Sequence, residues 1–158
     1  MYVPMVIALM FLFPLIAIVA QMMLTDHGVL TAAVSMGIVA KWYVFSAVGV
    51  RLSLAGLRQM FQPRFTAQAI LGINSPDALF LVRELGIANV AMGTAGLGTF
   101  LYAAWLPPVE LTGAIFFGVA GINHWLIKGR NKLQNLALVS DLFAALVLAT
   151  CFFARPRW

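Results

Sequence analysis

Charge is what this chain has least of. Asp, Glu, Lys and Arg make up 9% of its 158 residues, where an ordinary soluble domain carries about 25%. So few charges cannot cover a soluble fold, because large exposed apolar patches drive association. Acidic residues are the scarcer sign, 5 against 10 basic ones. Cysteine occurs once, as Cys151, which excludes an internal disulfide and leaves a buried, inert thiol as the expectation. Histidine occurs twice, and His27 and His124 are expected at opposite ends of the chain's spans, so no paired-imidazole metal site is expected. Gly-rich phosphate loops, CxxC pairs and a GxSxG elbow are absent. These gaps exclude a soluble globular protein and a disulfide scaffold. A disordered chain is excluded by what is abundant, a 63% hydrophobic composition with a mean hydropathy of +0.97. An integral membrane protein remains.

A spanning helix needs about 20 mostly apolar residues, and five stretches qualify: 2–24, 29–50, 78–105, 111–127 and 133–154. They predict an all-α polytopic bundle forming a single membrane domain over 1–158. The first run lacks a basic flank and a small-residue cleavage site, so it is expected to be retained, with Pro14 as a candidate kink. The stretch 51–72 alternates Arg51, Arg58 and Arg64 with Leu54, Leu57 and Phe61, which predicts an interfacial or re-entrant segment after the second span. Asn74-Ser75-Pro76-Asp77 reads as a turn and helix start. The third span carries Gly86, Ala88, Ala91, Gly93, Ala95, Gly96 and Gly98, and the fourth Ala114, Gly118 and Gly121. Small residues let helices approach closely in lipid, so a compact bundle is expected.

The formal charge of +5 and pI near 10.0 sit beside apolar runs. They therefore read as loop charge facing lipid head groups, and nucleic acid is not expected as a partner. Loops 51–77 and 128–132 hold six cations and share a face with the N-terminus, whereas the tail Arg155-Pro156-Arg157-Trp158 holds two. The positive-inside rule then places the N-terminus in the cytoplasm.

Ionisable groups inside spans are costly and ask for a reason. Lys41, Arg83, Glu84, His124 and Asp141 are all expected in the cytoplasmic half, with Asn89, Asn123 and Asn135 in or near it. Lys41 and Arg83 formally balance Glu84 and Asp141. One polar pocket between the last four helices is the resulting expectation, with Phe116, Phe117, Trp125 and Leu138 as apolar walls. These eight polar residues are the ligand-binding candidates; each also admits a structural role as an anchor, a snorkelling chain or a salt bridge.

The run Arg83-Glu84-Leu85-Gly86-Ile87-Ala88-Asn89-Val90-Ala91-Met92-Gly93 resembles small bacterial membrane proteins of the wider DoxX-like group. The likeness continues in Gly121-Ile122-Asn123-His124, in Gly129-Arg130-Asn131, and at Asn135 and Asp141, covering roughly residues 40–150. Where members of that group often place Pro-Gly between the two Asn, this chain has Lys132-Leu133-Gln134. The resemblance implies a four-helix membrane bundle in a bacterial inner membrane, here with one helix added in front. Members are linked to quinone-coupled sulfur oxidation, oxidant-resistance complexes and chaperoning of membrane partners, and the resemblance supplies no catalytic residues.

Three functions are compatible with this reading. The first is a small accessory or scaffold subunit of a larger membrane complex, such as a redox one. The second is a binding or transport module for an amphipathic molecule such as a quinone or lipid. The third is an intramembrane enzyme using Glu84, His124 and Asp141 as acid and base. No cofactor is required by any of them; a bound quinone or lipid fits the second. Membrane lipid is the expected partner, and oligomers are compatible with all three.

Overall fold

The computed structural model describes residues 2–26 and 28–155; His27 and the end of the predicted tail, 156–158, lie outside the described residues. Five helices are long and apolar enough to cross a membrane, and no strand occurs among the described residues. They are α1 (Tyr2–Leu24), α2 (Ala32–Phe61), α3 (Asp77–Gly98), α4 (Leu106–Leu126) and α5 (Lys132–Ala154). Short connections make neighbours antiparallel. The start of α1, the end of α2, the start of α3, the end of α4 and the start of α5 therefore share one end of the bundle, called here the proximal end.

Local chemistry sets the boundaries. Thr31 caps α2, its hydroxyl accepting from the Val34 N–H. Ser75 rather than Asn74 receives the Asp77 N–H at the start of α3. Pro107 and Pro108 fall in the first turn of α4, where an N–H has no intrahelical partner in any case. Asn131 and Gln134 form a capping box on α5.

The second span differs most from expectation. Arg51 does not close it. The helix runs through Arg51 to Phe61, and no proline interrupts it before Pro63. Its 30 residues make about 45 Å at 1.5 Å per residue, well beyond a hydrocarbon core of about 30 Å. The predicted interfacial segment 51–72 is thus split. Its first half belongs to α2, and Phe65–Ile70 forms a separate π-helical turn with Thr66 and Ala67 buried. The third span ends at Gly98 and the fourth begins earlier than predicted, after a 3-10 turn at Ala103–Trp105.

Two π-helical stretches face each other, Ala8–Leu12 in α1 and Val44–Arg51 in α2. Pro14 explains the first. In the π register the Phe13 N–H bonds the Ala8 carbonyl, so residue 14 would bond Leu9, but proline has no N–H to give. The Ser46 hydroxyl, from the π stretch of α2, donates to the Leu9 carbonyl instead. An orphaned acceptor in one span is satisfied by the next, as lipid requires.

The bundle is built from two tight pairs. α3 lies against the second half of α2, and α4 lies against α5, while α3 and α4 barely touch. α1 packs on the first half of α2 and reaches α5. Buried Val48, Phe117, Ala144 and Leu148 form the centre. The α2–α3 seam is backbone against backbone: a Cβ on Gly96 would stand 2.6 Å from the Gly49 nitrogen, and one on Gly56 would stand 2.6 Å from the Gly86 oxygen. At Gly118 a Cβ would meet only the Ala145 Cβ, at 3.7 Å. One substitution should therefore have two outcomes. Gly96→Ala is expected to destabilise by about 1–3 kcal/mol through overpacking, and Gly118→Ala to be neutral or to stabilise by up to about 1 kcal/mol. The midpoint of SDS-induced unfolding measures both, and equal effects would contradict the seam.

Candidate functional site

The site grows from one arginine. Arg51 closes the π stretch of α2 and is 7% exposed. Its Nη2 lies 2.6 Å from Asp141 Oδ1 on α5 and donates to the Ser140 hydroxyl at 3.1 Å. Its Nη1 donates to the Met10 sulfur on α1 at 3.2 Å. The guanidinium carbon stands 5.1 Å from the ring centre of Phe117 on α4. Four helices thus converge on one buried cation, and the carboxylate that neutralises it is buried with it.

Below this pair, toward the proximal end, lies a cavity of about 180 Å³. Arg51, Asp141 and Ala137 border it, Tyr2 and Met5 of α1 and Phe65 of the π turn line it, and Phe116, Phe117, Ala120 and His124 line it from α4. Gln59 and Asn89 bridge α2 and α3 on another wall, the Asn89 amide donating to Gln59 Oε1 at 2.7 Å. Arg58 lies over the Phe65 ring, 3.6 Å from its centre, and Phe65 in turn packs on Tyr2 at 5.7 Å. Three polar atoms on the lining residues are buried with no hydrogen-bond partner: Arg58 Nε, Asn89 Oδ1 and His124 Nδ1. Asn89 itself is only 3% exposed. Buried polar groups are normally satisfied, and each orphan costs about 1–3 kcal/mol. A donor, an acceptor and an imidazole nitrogen on residues of one cavity lining are thus left without partners.

Of the eight sequence candidates, Asn89, His124 and Asp141 line this cavity and the other five do not. The buried stripe of α3 runs Val82, Gly86, Asn89, Gly93, Gly96. Arg83 and Glu84 fall beside that stripe and are exposed. Arg83 borders a separate surface depression with Phe61 and Arg64. Asn123 sits off the buried Phe117–Gly121 stripe of α4 and is exposed. Asn135 is also exposed, its side chain accepting from Arg130 Nε at 3.0 Å. Lys41 corrects the depth estimate: it belongs to the opposite, distal end, with its ammonium over the rings of Trp42 and Phe100. Of the expected apolar walls, Phe116 and Phe117 line the cavity, while Trp125 is 64% exposed and Leu138 is not among the lining residues. The expected acid–base set does not share one cavity, since Glu84 is exposed and is not among the residues that line it with His124 and Asp141.

The charge balance also uses different partners. Arg51, not Lys41 or Arg83, neutralises Asp141. Glu110, one residue before the predicted fourth span, is fully buried in α4 and pairs with Arg155 at 2.9 Å, beyond the end of α5. The residues missed were Arg51, Arg58, Gln59, Ser140 and Tyr2. For Arg58 and Gln59 the available signal was the uninterrupted helical run across Arg51, which carries the interior face of α2 on to Gly56 and Gln59; Arg51, Ser140 and Tyr2 gave none.

The α4–α5 hairpin fixes the lower rim. Gly129 takes φ +72°, a left-handed turn that glycine accepts without strain. Arg130 Nη1 then folds back onto the Trp125 and Ile127 carbonyls at 2.6 and 2.7 Å, closing the end of α4. The Asn131 amide donates to the Ala69 carbonyl at 3.0 Å and so ties the hairpin to the π turn.

A cavity that admits water and small solutes should expose a thiol placed on its wall. In a Cys151→Ser background, Ala120→Cys is expected to react with a membrane-permeant maleimide, and Ala144→Cys, at a position with no exposure, is expected to stay unlabelled. Equal labelling by mass spectrometry would contradict the cavity. No family model, curated protein or solved structure matches this chain, so the likeness to DoxX-like proteins rests on its residues alone.

Proposed function

We propose that this protein is an intramembrane binding module for a small amphipathic molecule, a quinone in its reduced form or a lipid, whose polar head sits in the proximal cavity. The observation that carries this reading is the set of three unpartnered polar atoms, on Arg58, Asn89 and His124, around a space otherwise walled by Phe65, Phe116 and Phe117. A few convergent polar groups in an apolar pocket fix a ligand's orientation while the rings supply affinity. The ligand's head should both accept, from Arg58, and donate, to Asn89. Hydroxyl, hydroquinone and protonated acid heads meet that requirement; a quaternary ammonium does not.

Size and access support a lipid-phase ligand. About 180 Å³ is less than the roughly 300–1,000 Å³ of pockets that enclose a drug-sized molecule, so the space fits a head or single ring and the tail must leave it. The opening lies beside Leu54 of α2 and Leu85 of α3. Leu54 and Leu85 line the cavity while remaining 42% and 37% exposed on the outer surface. The accessory-subunit reading has no comparable feature, since exposed apolar side chains on all five helices are what lipid contact requires.

For orientation, we propose a cytoplasmic N-terminus. Arg58, Arg64, Arg83, Lys128, Arg130 and Lys132 gather at the proximal end, against Lys41 and Arg155 at the distal end among the described residues, and positive charge favours the cytoplasmic face. Arg51 leaves that count because it is buried. A bacterial inner membrane is the setting the DoxX-like resemblance implies.

Organic extraction of the purified protein followed by mass spectrometry tests the reading. The wild type is expected to release one enriched amphiphile. Ala120→Trp, which fills the cavity, is expected to lose it, and Asn89→Leu to retain roughly tenfold less, the equivalent of one hydrogen bond of about 1.4 kcal/mol. Identical lipid profiles for all three proteins would contradict the proposal.

A further inference from the structure

The distal end of the bundle holds a cation without a counterion. Lys41 carries the only ammonium within the described helical spans that stands among aromatic rings, its Nζ 4.8 Å from the centre of Phe100 and 5.3 Å from that of Trp42. Of the two acids described at this end, Glu110 pairs with Arg155, and Asp26 lies in the exposed turn after α1, accepting from the Gly28 N–H. Neither of the ion pairs among the described residues includes Lys41. An unpaired charge within a span is costly, less so near the interface, and the ring faces offset only part of that cost.

Beside Lys41, bordered also by Gln21, Thr99 and Phe100, lies an open-sided cavity of about 320 Å³. Gln21 Oε1 is taken by the Trp42 indole at 2.6 Å, which leaves the Gln21 amide nitrogen as a donor. The Thr99 hydroxyl is spent on the Gly96 carbonyl at 2.7 Å. The depth is that of a head-group layer: Gln21 lies one turn before the end of α1, and Thr99 directly follows the end of α3. Tyr102 and Trp105, stacked at 5.0 Å, stand at the same level, as interfacial aromatics do. Phe100 and Leu101 are 42% and 80% exposed beside the cavity, an apolar path for a chain attached to the head.

We infer that Lys41 and Gln21 form a distal site for the phosphate of an anionic lipid, separate from the proximal cavity and independent of what fills it. The ammonium supplies the charge, Gln21 a hydrogen bond, and the exposed rings hold the first part of an acyl chain. A free phosphate would satisfy the ammonium but gain nothing from the rings.

Native mass spectrometry of the full chain in detergent, titrated with phosphatidylglycerol or phosphatidylcholine, tests this. The wild type is expected to retain one more phosphatidylglycerol than Lys41→Gln, with Lys41→Arg and the remote Lys128→Gln behaving as wild type. Millimolar inorganic phosphate should not displace the lipid. Equal retention by wild type and Lys41→Gln, equal retention of the two lipids, or displacement by phosphate would each overturn the assignment. A second measurement leaves Lys41 untouched: phosphatidylglycerol with brominated chains should quench tryptophan emission in the wild type more than in Trp42→Phe, and equal fractional quenching would overturn it as well.

Discussion

A guanidinium and a carboxylate 2.6 Å apart, both nine-tenths buried inside a bundle with an apolar exterior, constrain the rest of this structure. Neither group tolerates the hydrocarbon alone. Their pairing holds α2 to α5, and the remaining bonds of Arg51 draw in α1 through Met10 and α4 through Phe117. Once the pair is placed, the proximal cavity has its deepest wall. The helices cannot collapse into that space without desolvating polar groups further, and they do not separate because the pair and the core above it hold them.

Backbone register makes that pairing available. An α-helix places residues near 100° apart, so a π stretch resets which side chains face inward. Val44–Arg51 is such a stretch, and it buries nearly every residue it contains. Its partner in α1 precedes Pro14, and the Ser46–Leu9 bond couples the two irregular segments. The tight α2–α3 seam then carries Gln59 and Asn89 to the wall opposite Asp141. Seam, π stretch and ion pair form one chain of cause, running from Pro14 to the unpartnered amide oxygen of Asn89.

Hydropathy made the five crossings legible, because the length and purity of the apolar runs depend on lipid rather than on neighbouring helices. The glycine stripe of α3 was legible for the same kind of reason: only small residues permit the contact that Gly86 and Gly96 make. Asn89, His124 and Asp141 were recognisable as costly residues at a common depth. Arg51 was not recognisable as buried, since an arginine at the edge of an apolar run looks like the end of a span, and only a carboxylate ninety residues later reveals otherwise. Glu110 failed similarly beside Pro107 and Pro108. Lys41, Arg83 and Glu84 were grouped with the cavity on depth and charge alone. Facing depends on helical phase, which depth and charge do not give: the buried stripe Val82, Gly86, Asn89 leaves Arg83 and Glu84 outside it.

Two ends of one bundle thus carry different chemistry. The proximal end holds a neutralised pair and a cavity with hydrogen-bonding groups to spare, and the distal end holds an ammonium among rings. Both arrangements depend on α2, the long helix that touches every other one. The most direct measurement of the account is a double-mutant cycle on its central pair, with Arg51→Met, Asp141→Leu and the double variant compared by SDS-induced unfolding. Each single change should cost about 3–5 kcal/mol by leaving a buried charge alone, and the double variant should recover most of that loss. Losses that simply add would mean that Arg51 and Asp141 do not hold each other inside the membrane.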